Sequence, residues 1–327
     1  GSAGCNCGSP TGCEVGARAG GNGQPCLWFS QGCTIGCSTC DNATQHTMGK
    51  SLCNSTVQPT LPKYAWTLNR NVTPGSPSDT YRHHPWRAPG TAPVVDACGM
   101  AGGAARPGGG EAVFAATHFA KQGDLGSQVL KAAPTGTQWA AGSSVEVAWG
   151  VRFNHGGGYQ YRVCPAHETP TEACFQRHPL PFTGTQSLRW NDGTQVWIKG
   201  TFVSEGTSPP GSTWAMNPLP RIHFDSASSG QPRDFSGCTA PARGRACRVF
   251  DPPCEEGNPP WAPVNGSFAV DVEGLCSGDA TRVQIVDVVQ VPAELPPGDY
   301  VLGWRWDCEE TAQIWSNCAD VTITPAA

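Results

Sequence analysis

The sequence predicts an all-β protein, an antiparallel β-sandwich with long loops rich in glycine and proline. Two observations favour this fold class. First, 41 glycines and 30 prolines are distributed over 327 residues, and both residue types end regular elements. Second, apolar and polar residues alternate in several short segments, which is the period of a half-buried strand. Many short strands separated by such turns are typical of a sandwich.

The predicted strands begin at Ser143, where SSVEVAWGVRF places Val145, Val147, Trp149 and Val151 on one face. Later in the sequence DYVLGWRWDC alternates in the same way, and ADVTITP follows it. A helix-like pattern is confined to residues 112–130. The other predicted strands are GYQYRVCP from Gly158, QVWIKGTFV from Gln195, SFAVDVEG from Ser267 and RVQIVDVVQVP from Arg282.

Cysteines mark a distinct N-terminal part. Eight of the 17 lie within the first 53 residues, so cross-links rather than an apolar core order a predicted lobe of residues 1–64. Residues 65–327 form the predicted sandwich, and we expect both parts to make one compact unit. The spacing of CTIGCSTC, Cys33 to Cys40, also fits an iron–sulfur cluster or a metal site, but the number and scatter of the cysteines favour disulfides. An odd total leaves one cysteine that is unpaired, joined to another chain or separated from its partner.

Four N-x-S/T sequons accompany the cysteines, and together they indicate the secretory route, with N-glycosylation expected. The net charge of −5 and the absence of a Lys/Arg run argue against nucleic acid as a partner. No segment reaches the roughly 20 apolar residues of a membrane span. No signal peptide stands at Gly1, so we expect a mature or trimmed secreted protein of the cell wall, cell surface or extracellular space. The sequons are Asn42, Asn54, Asn71 and Asn265.

The stretch FNHGGGYQYRVCP combines a histidine with three glycines, which let other groups approach His155 closely. In isolation such a histidine is usually an ordinary surface residue. The neighbouring carboxylates Asp307, Glu309 and Glu310 suggest glycoside hydrolysis at first sight. Because adjacency on a loop does not place two carboxylates across a sugar ring, we expect a solvated acidic turn instead.

Four segments together resemble the lytic polysaccharide monooxygenases and the related type-4 chitin-binding domains. They are WRAPGTAPVVDACGMAGG, FNHGGGYQYRVCP, VPAELPPGDYVLGWRWDC and ETAQIWSNCADVTI. The last two are the most specific, because a Pro-Pro-Gly turn enters an aromatic strand and a cysteine-flanked loop leads to Cys-Ala-Asp-Val. The resemblance spans most of the chain, between Trp86 and Ile323. It implies an immunoglobulin-like or fibronectin-III-like sandwich whose flat face lies on crystalline polysaccharide and, in active members, holds copper.

In that family an N-terminal histidine, through its amino group and its ring, holds the copper together with a second histidine, and an aromatic side chain lies axial to the ion. Such a set of nitrogens suits Cu(II). By the resemblance, His155 matches the second histidine, Trp315 takes the axial position that is usually Tyr or Phe, and Gln313 is a polar group behind the site. The resemblance also implies a disulfide between Cys308 and Cys318.

The first copper ligand of that family is missing, because residue 1 is glycine. His83 and His84 are adjacent, so on an extended chain their rings point to opposite sides, and a metal shared between them is not expected. The copper interpretation therefore needs a histidine that precedes Gly1. If Gly1 is the native start, the sandwich keeps its binding surface and lacks copper.

The 12 tryptophans suggest two roles. Trp149, Trp304 and Trp306 alternate on predicted strands and are expected in the core. One or two of the tryptophans in loop-like segments are expected to stack on sugar rings, since an indole and a pyranose both bury apolar surface on contact. These candidates are Trp28, Trp66, Trp86, Trp214 and Trp261.

Two functions remain open from the sequence. The first is a secreted glycoprotein that binds polysaccharide (cellulose, chitin or an algal- or fungal-type wall glycan) or self-assembles into a wall, surface or fibre, without catalysis or cofactor in this form. The second is a copper-dependent lytic polysaccharide monooxygenase acting on such a glycan. The native N-terminal residue and copper binding distinguish them.

Overall fold

The structure is a computed structural model that describes residues 27–31, 84–106, 113–133, 135–150, 155–190, 193, 195–218, 263–264, 267–268, 283–309 and 311–326. Its helical elements are a 3-10 turn (Pro85–Arg87), α1 (Gly126–Val129) and α2 (Glu172–Phe175). The strands are β1 (Trp28–Gln31), β2 (Met100–Ala101), β3 (Gln138–Ala140), β4 (Ser144–Gly150), β5 (Gly158–Pro165), β6 (Phe182–Trp190), β7 (Gln195–Lys199), β8 (Phe202–Val203), β9 (Trp214–Met216), β10 (Pro263–Val264), β11 (Ser267–Phe268), β12 (Val283–Gln290), β13 (Gly298–Asp307) and β14 (Gln313–Thr324).

Two sheets form the sandwich. The larger has the order β2-β1-β14-β13-β5-β9-β8, and β3 adds a parallel pairing with β14. The smaller has the order β4-β12-β6-β7, and all its pairings are antiparallel. Strands β10 and β11 pair with each other. The all-β sandwich predicted from alternation and turn residues is therefore confirmed.

The core between the sheets is built around Trp149 of β4. Its ring centroid lies 4.8 Å from Tyr159, 4.9 Å from Trp304 and 5.4 Å from Trp306, so one strand of the smaller sheet meets two strands of the larger. Leu188 of β6 is fully buried beside them. Aromatic pairs at such distances stabilise a core by about 0.5–1.5 kcal/mol each beyond the area they bury. The core role predicted for Trp149 and Trp306 is confirmed, and Trp304 is partly buried against the same cluster.

The segment QVWIKGTFV is two strands rather than the single predicted one. Strand β7 pairs with β6 in the smaller sheet, whereas β8 pairs with β9 in the larger. Gly200 lies at the crossing, where an added Cβ would be 2.6 Å from the ring of Phe202. The chain changes sheets at this glycine because only a residue without a side chain permits the close approach. In the helix-like segment, α1 takes only Gly126–Val129.

None of the helices in the described ranges is long and apolar enough to cross a membrane. Of the predicted lobe, residues 27–31 are described, and they form β1 in the larger sheet. The boundary at residue 64 stays a prediction. The CTIGCSTC stretch and all four sequons, Asn42, Asn54, Asn71 and Asn265, lie outside the described residues.

The disulfide predicted between Cys308 and Cys318 is wrong, because Cys318 is bonded to Cys98. Strand register explains the error: Gly303 lies opposite Cys318 on the neighbouring strand. Cys308 lies five positions beyond Gly303, which is about 16 Å along an extended chain. A disulfide needs Cα atoms within roughly 7 Å. A second disulfide joins Cys164 to Cys174 and ties β5 to α2.

A carboxylate is buried inside the sandwich. Asp287 of β12 is fully buried, accepts a hydrogen bond from the Tyr159 hydroxyl at 2.7 Å and accepts another from the Gln186 amide at 2.9 Å. Burial raises the pKa of Asp287 to about 6, against the lowering effect of these two hydrogen bonds. The protonated form is therefore the one that the fold favours.

We expect this carboxylate to make folding depend on pH. Because the folded pKa is raised, the stabilisation is complete below the unfolded pKa near 4 and is lost as the pH rises through 6. A shift of about two units corresponds to about 3 kcal/mol. The variant Asp287→Asn should lack this contribution, so urea unfolding at pH 4 and pH 7 should show the wild type losing more stability over that interval. Parallel stability curves for the two proteins would contradict the expectation.

Candidate functional site

His155 lies in the loop between β4 and β5, at one end of the sandwich. Its side chain is partly buried, and its ring lies parallel to Trp306 of β13, with centroids 6.0 Å apart and an interplanar angle of 21°. Its carbonyl accepts a hydrogen bond from the backbone N–H of Glu309 at 3.1 Å. The ring is thus held against the core, and the backbone is fixed to the segment that follows β13.

The glycines after His155 allow close contacts, as the sequence predicts. Gly157 has φ +76°, and a Cβ there would lie 2.0 Å from the Asp307 carbonyl oxygen. A Cβ at Gly158 would lie 2.3 Å from the ring of Trp86. The three-glycine turn is therefore required both by its backbone conformation and by the groups that press on it.

Trp86 belongs to a 3-10 turn that brings a second histidine to this end of the sandwich. The ring nitrogen Nδ1 of His84 is 2.6 Å from the carbonyl oxygen of Glu309. The backbone N–H of Trp86 donates to the Cys308 carbonyl at 3.1 Å. Both backbone groups of Glu309, which follows β13, are therefore used: its carbonyl oxygen binds the His84 ring, and its N–H binds the His155 carbonyl.

The two histidines influence each other electrostatically. Burial, with a smaller contribution from the nearby His84, lowers the pKa of His155 to about 4. His155 is therefore neutral at every pH well above 4, and a neutral imidazole has a lone pair available for a metal. Sequence reasoning considered His84 only with its neighbour His83, which lies outside the described residues.

Copper is the metal that the family resemblance implies, and this pair fits it in part. Two imidazoles supply nitrogen donors of the type that Cu(II) prefers. Within the described ranges no group of three or more His, Cys, Asp and Glu side chains could hold a metal ion. Residues 1–26 lie outside those ranges, so the terminal ligand of the family stays untested.

Trp315 and Gln313 lie one strand away from His155. The ring of Trp315 stacks on Phe29 of β1 at 4.3 Å, and it lies 6.1 Å from Trp306. The Trp315 indole N–H donates to the Gln313 side-chain oxygen at 3.2 Å. His155 and Trp315 therefore share Trp306 as a common neighbour, and the axial role of Trp315 stays a prediction.

Three of the five candidates for sugar stacking are excluded, and the prediction that one or two of the five stack on a glycan now depends on the other two. Trp28, Trp86 and Trp214 are buried, so none of the three presents a face to a glycan. They fill the space between the loops and the larger sheet, since each ring packs against buried neighbours. Trp66 and Trp261 lie outside the described residues. The exposed tryptophan of the described part is Trp197 of β7, 66% exposed, which the sequence places in a strand and which was not singled out.

The predicted solvated acidic turn is also wrong. Asp307 is fully buried and Glu309 is 2% exposed, while Glu310 lies outside the described residues. Asp307 pairs with Arg305, whose Nε lies 2.6 Å from Oδ1, and it accepts a hydrogen bond from the Gly90 backbone N–H at 2.8 Å. This carboxylate is a structural anchor for the residues that follow Trp86.

A wider ion network surrounds that pair on the outer side of the larger sheet. Glu172 of α2 lies 2.5 Å from Arg162 and 2.7 Å from Arg305. Burial opposes its ionisation, but the charges of the two guanidinium groups outweigh burial and lower the pKa of Glu172 to about 2. Arg305 also donates to the Ala92 carbonyl at 2.8 Å, so the network fixes the covering segment on the sheet.

Comparisons with protein-family models and with curated proteins give no match. Among solved structures, the chain is weakly similar to the AA15 lytic polysaccharide monooxygenase of Thermobia domestica in the Cu(I) state, with a TM-score of 0.26 and 14% identity. The match covers 58% of this chain and 63% of that chain, less than two thirds of its length. A second match is a family 123 glycoside hydrolase from Clostridium perfringens, with a TM-score of 0.18, 9% identity and coverage of 58% and 23%. Neither similarity assigns a family.

Proposed function

We propose that this protein is a secreted glycoprotein that binds polysaccharide outside the cell, or forms part of an extracellular wall, surface or fibre assembly, without catalysing a reaction in this form. The support is the resemblance of four sequence segments to the lytic polysaccharide monooxygenases and type-4 chitin-binding domains. The two disulfides of the described part are compatible with secretion.

The observation that carries the proposal is that the four segments come together in one unit. Strand β13, from VPAELPPGDYVLGWRWDC, pairs with β5 of FNHGGGYQYRVCP on one side and with β14 of ETAQIWSNCADVTI on the other. The fourth segment, WRAPGTAPVVDACGMAGG, is bonded to β14 through Cys98 and Cys318. Segments that are distributed between Trp86 and Ile323 thus belong to one unit, joined by strand pairing and by a disulfide.

Trp197 is the aromatic side chain that we expect to touch the glycan. On the same outward face, Gln195 donates to the Ser187 hydroxyl at 2.7 Å, and the charge of Arg189 is compensated by Glu146 at 2.7 Å. Ser187 itself is fully buried, so the polar groups that this face exposes are the Gln195 side chain and the Arg189–Glu146 pair. Such a surface suits a neutral sugar, which needs stacking on its apolar face and hydrogen bonds at its edges.

The test is binding of the protein to insoluble cellulose, chitin and algal wall glycan, measured as the fraction that sediments. We expect Trp197→Ala to weaken binding about fivefold, since one stacking contact contributes about 1 kcal/mol. Trp197→Phe, which keeps a ring, should bind almost as the wild type does, and His155→Ala should stay within a few-fold. Wild-type binding to none of the glycans contradicts the function, whereas normal binding by Trp197→Ala contradicts only this surface.

A second candidate function is favoured by the pair of histidines. His155 is neutral above its low pKa, and His84 is near enough to influence it electrostatically, so this end of the sandwich carries two imidazoles. Copper bound there would supply an oxidant for C–H bonds, which is the activity of a lytic polysaccharide monooxygenase. Trp306 and the Glu309 peptide would orient the two rings. Oxidised oligosaccharides from the wild type with Cu(II) and a reductant, and none from His155→Ala, would establish this function in place of binding alone.

A further inference from the structure

We propose that the glycan on the outward face of the smaller sheet carries acidic groups, carboxylate or sulfate, and that Lys199 is the residue that recognises them. The inference rests on the proposed function and deepens it, because it names the class of polysaccharide. Trp197 keeps its neutral sugar ring, and Lys199 adds a charged contact to an acidic group on a neighbouring part of the same glycan.

The placement of Lys199 beside Trp197 is the first support. Val196 and Ile198 of β7 pack against the core, so Gln195, Trp197 and Lys199, which alternate with them, share the outward face. Lys199 is exposed, as Trp197 is. Successive residues on one face of a strand are about 7 Å apart. The ammonium group can therefore contact the glycan next to the ring that stacks on the indole.

The charge balance of the smaller sheet is the second support. Its four strands contain two acidic residues: Asp287 is buried inside the sandwich, and Glu146 is paired with Arg189 at 2.7 Å. The same strands contain two basic residues, Arg189 and Lys199. Within the described ranges no acidic side chain forms an ion pair with Lys199. The strands therefore present one positive charge on this face that their own residues do not compensate.

An acidic glycan is the partner that complements this charge. The whole chain has a net charge of −5, so at long range it repels a polyanion, and attraction has to come from a local cation. The exposed indole beside the lysine favours a sugar chain over an acidic peptide, because a pyranose ring stacks on an aromatic face. Charge complementarity mainly sets specificity. Lys199 should therefore distinguish acidic from neutral glycans.

The test is binding to matched pairs of soluble polysaccharides that share a backbone and differ in charge, measured by calorimetry at pH 7. The pairs are hydroxyethyl cellulose with carboxymethyl cellulose, glycol chitin with carboxymethyl chitin, and desulfated carrageenan with carrageenan. On the backbone that it recognises, the wild type should bind the acidic member about two- to fivefold more tightly, as expected for one exposed ion pair. The first two pairs detect a preference for carboxylate, and the third detects a preference for sulfate.

The critical variant is Lys199→Gln, because glutamine keeps a polar side chain and removes the charge. It should bind both members of a pair alike, with the affinity for the neutral member unchanged. Lys121→Gln, which removes an exposed lysine between β2 and α1, is the matched control and should keep the wild-type preference. Trp197→Ala should weaken the binding of both members, since stacking on the ring is common to them.

The outcomes separate this inference from the function on which it rests. Equal affinity of the wild type for both members, or a preference that persists in Lys199→Gln, would overturn the inference and leave polysaccharide binding intact. An equal loss of preference in Lys121→Gln would show a general effect of surface charge and would also overturn it. If the wild type binds none of the soluble polysaccharides, the inference is wrong. If the insoluble glycans also fail to bind, the proposed function is wrong as well.

Discussion

Replacing Arg305 by methionine should lower the free energy of unfolding by about 3–5 kcal/mol, the usual cost of removing one partner of a buried ion pair. Arg305 is fully buried, and its guanidinium contacts Asp307 through two nitrogens, at 2.6 and 3.1 Å. It also contacts Glu172 at 2.7 Å. Methionine would leave Asp307 charged, buried and without its guanidinium partner. The measurement is urea unfolding at pH 7.

The matched control is Arg189→Met, which removes an ion pair with Glu146 on the exposed face of the smaller sheet. Exposed pairs contribute only about 0.2–1 kcal/mol, because water solvates both partners when they separate. The double variant Arg305→Met with Asp307→Asn should recover part of the loss, since the orphaned charge is then gone. Equal destabilisation by Arg305→Met and Arg189→Met would contradict the role that we assign to burial.

Removing the Cys98–Cys318 disulfide by a double substitution to alanine should destabilise the protein by about 5 kcal/mol under oxidising conditions. The two cysteines are 220 positions apart in sequence, so the bond removes much of the conformational entropy of the unfolded chain. The bond also fixes the segment after Trp86 to β14, which lies in the middle of the larger sheet. Thermal unfolding of the two proteins at the same pH gives the comparison.

The Cys164–Cys174 disulfide provides an internal control, because it spans only 10 positions and the same entropy model assigns it about 3 kcal/mol. Both bonds lie in buried surroundings, so the loss of sulfur packing is similar in the two double variants. The difference between the stability losses of the two double variants therefore measures the effect of loop length. If the short-range bond proves to be the more important one, the entropic explanation does not hold for this protein.

The strands that the sequence predicts correctly are those whose alternation is long. SSVEVAWGV gives β4, and DYVLGWRWDC gives β13, because each carries at least three inward apolar residues between turn signals. Strand β1 is missed, since WFSQ is only four residues long and stands among cysteines that suggest cross-linked loops. The change of sheet at Gly200 is missed for another reason: pairing partners depend on tertiary packing, and local pattern does not contain them.

The candidate site also contains features that depend on tertiary packing and that a local sequence pattern does not predict. His155 could be found from its own neighbours, because three consecutive glycines beside a histidine indicate that other groups pack closely against that loop. His84 could not, because its position depends on a hydrogen bond to Glu309, which is remote in sequence. The Cys98–Cys318 bond was missed for the same reason, since spacing does not determine connectivity. The burial of Trp86 and Trp214 likewise results from loops folding over the sheet.

The pairing of β1 with β14 has a consequence for the biosynthesis of the protein. Gln31 and Gln313 are register partners, 282 positions apart, so β1 has no place in the sheet until β14 has left the ribosome. At ordinary translation speeds of about 5–20 residues per second, that delay is about 15–60 s. Cys98 must also wait for Cys318, and all the other cysteines of the chain are translated before that residue. A newly made chain should therefore depend on chaperones and on disulfide isomerisation to reach its native connectivity.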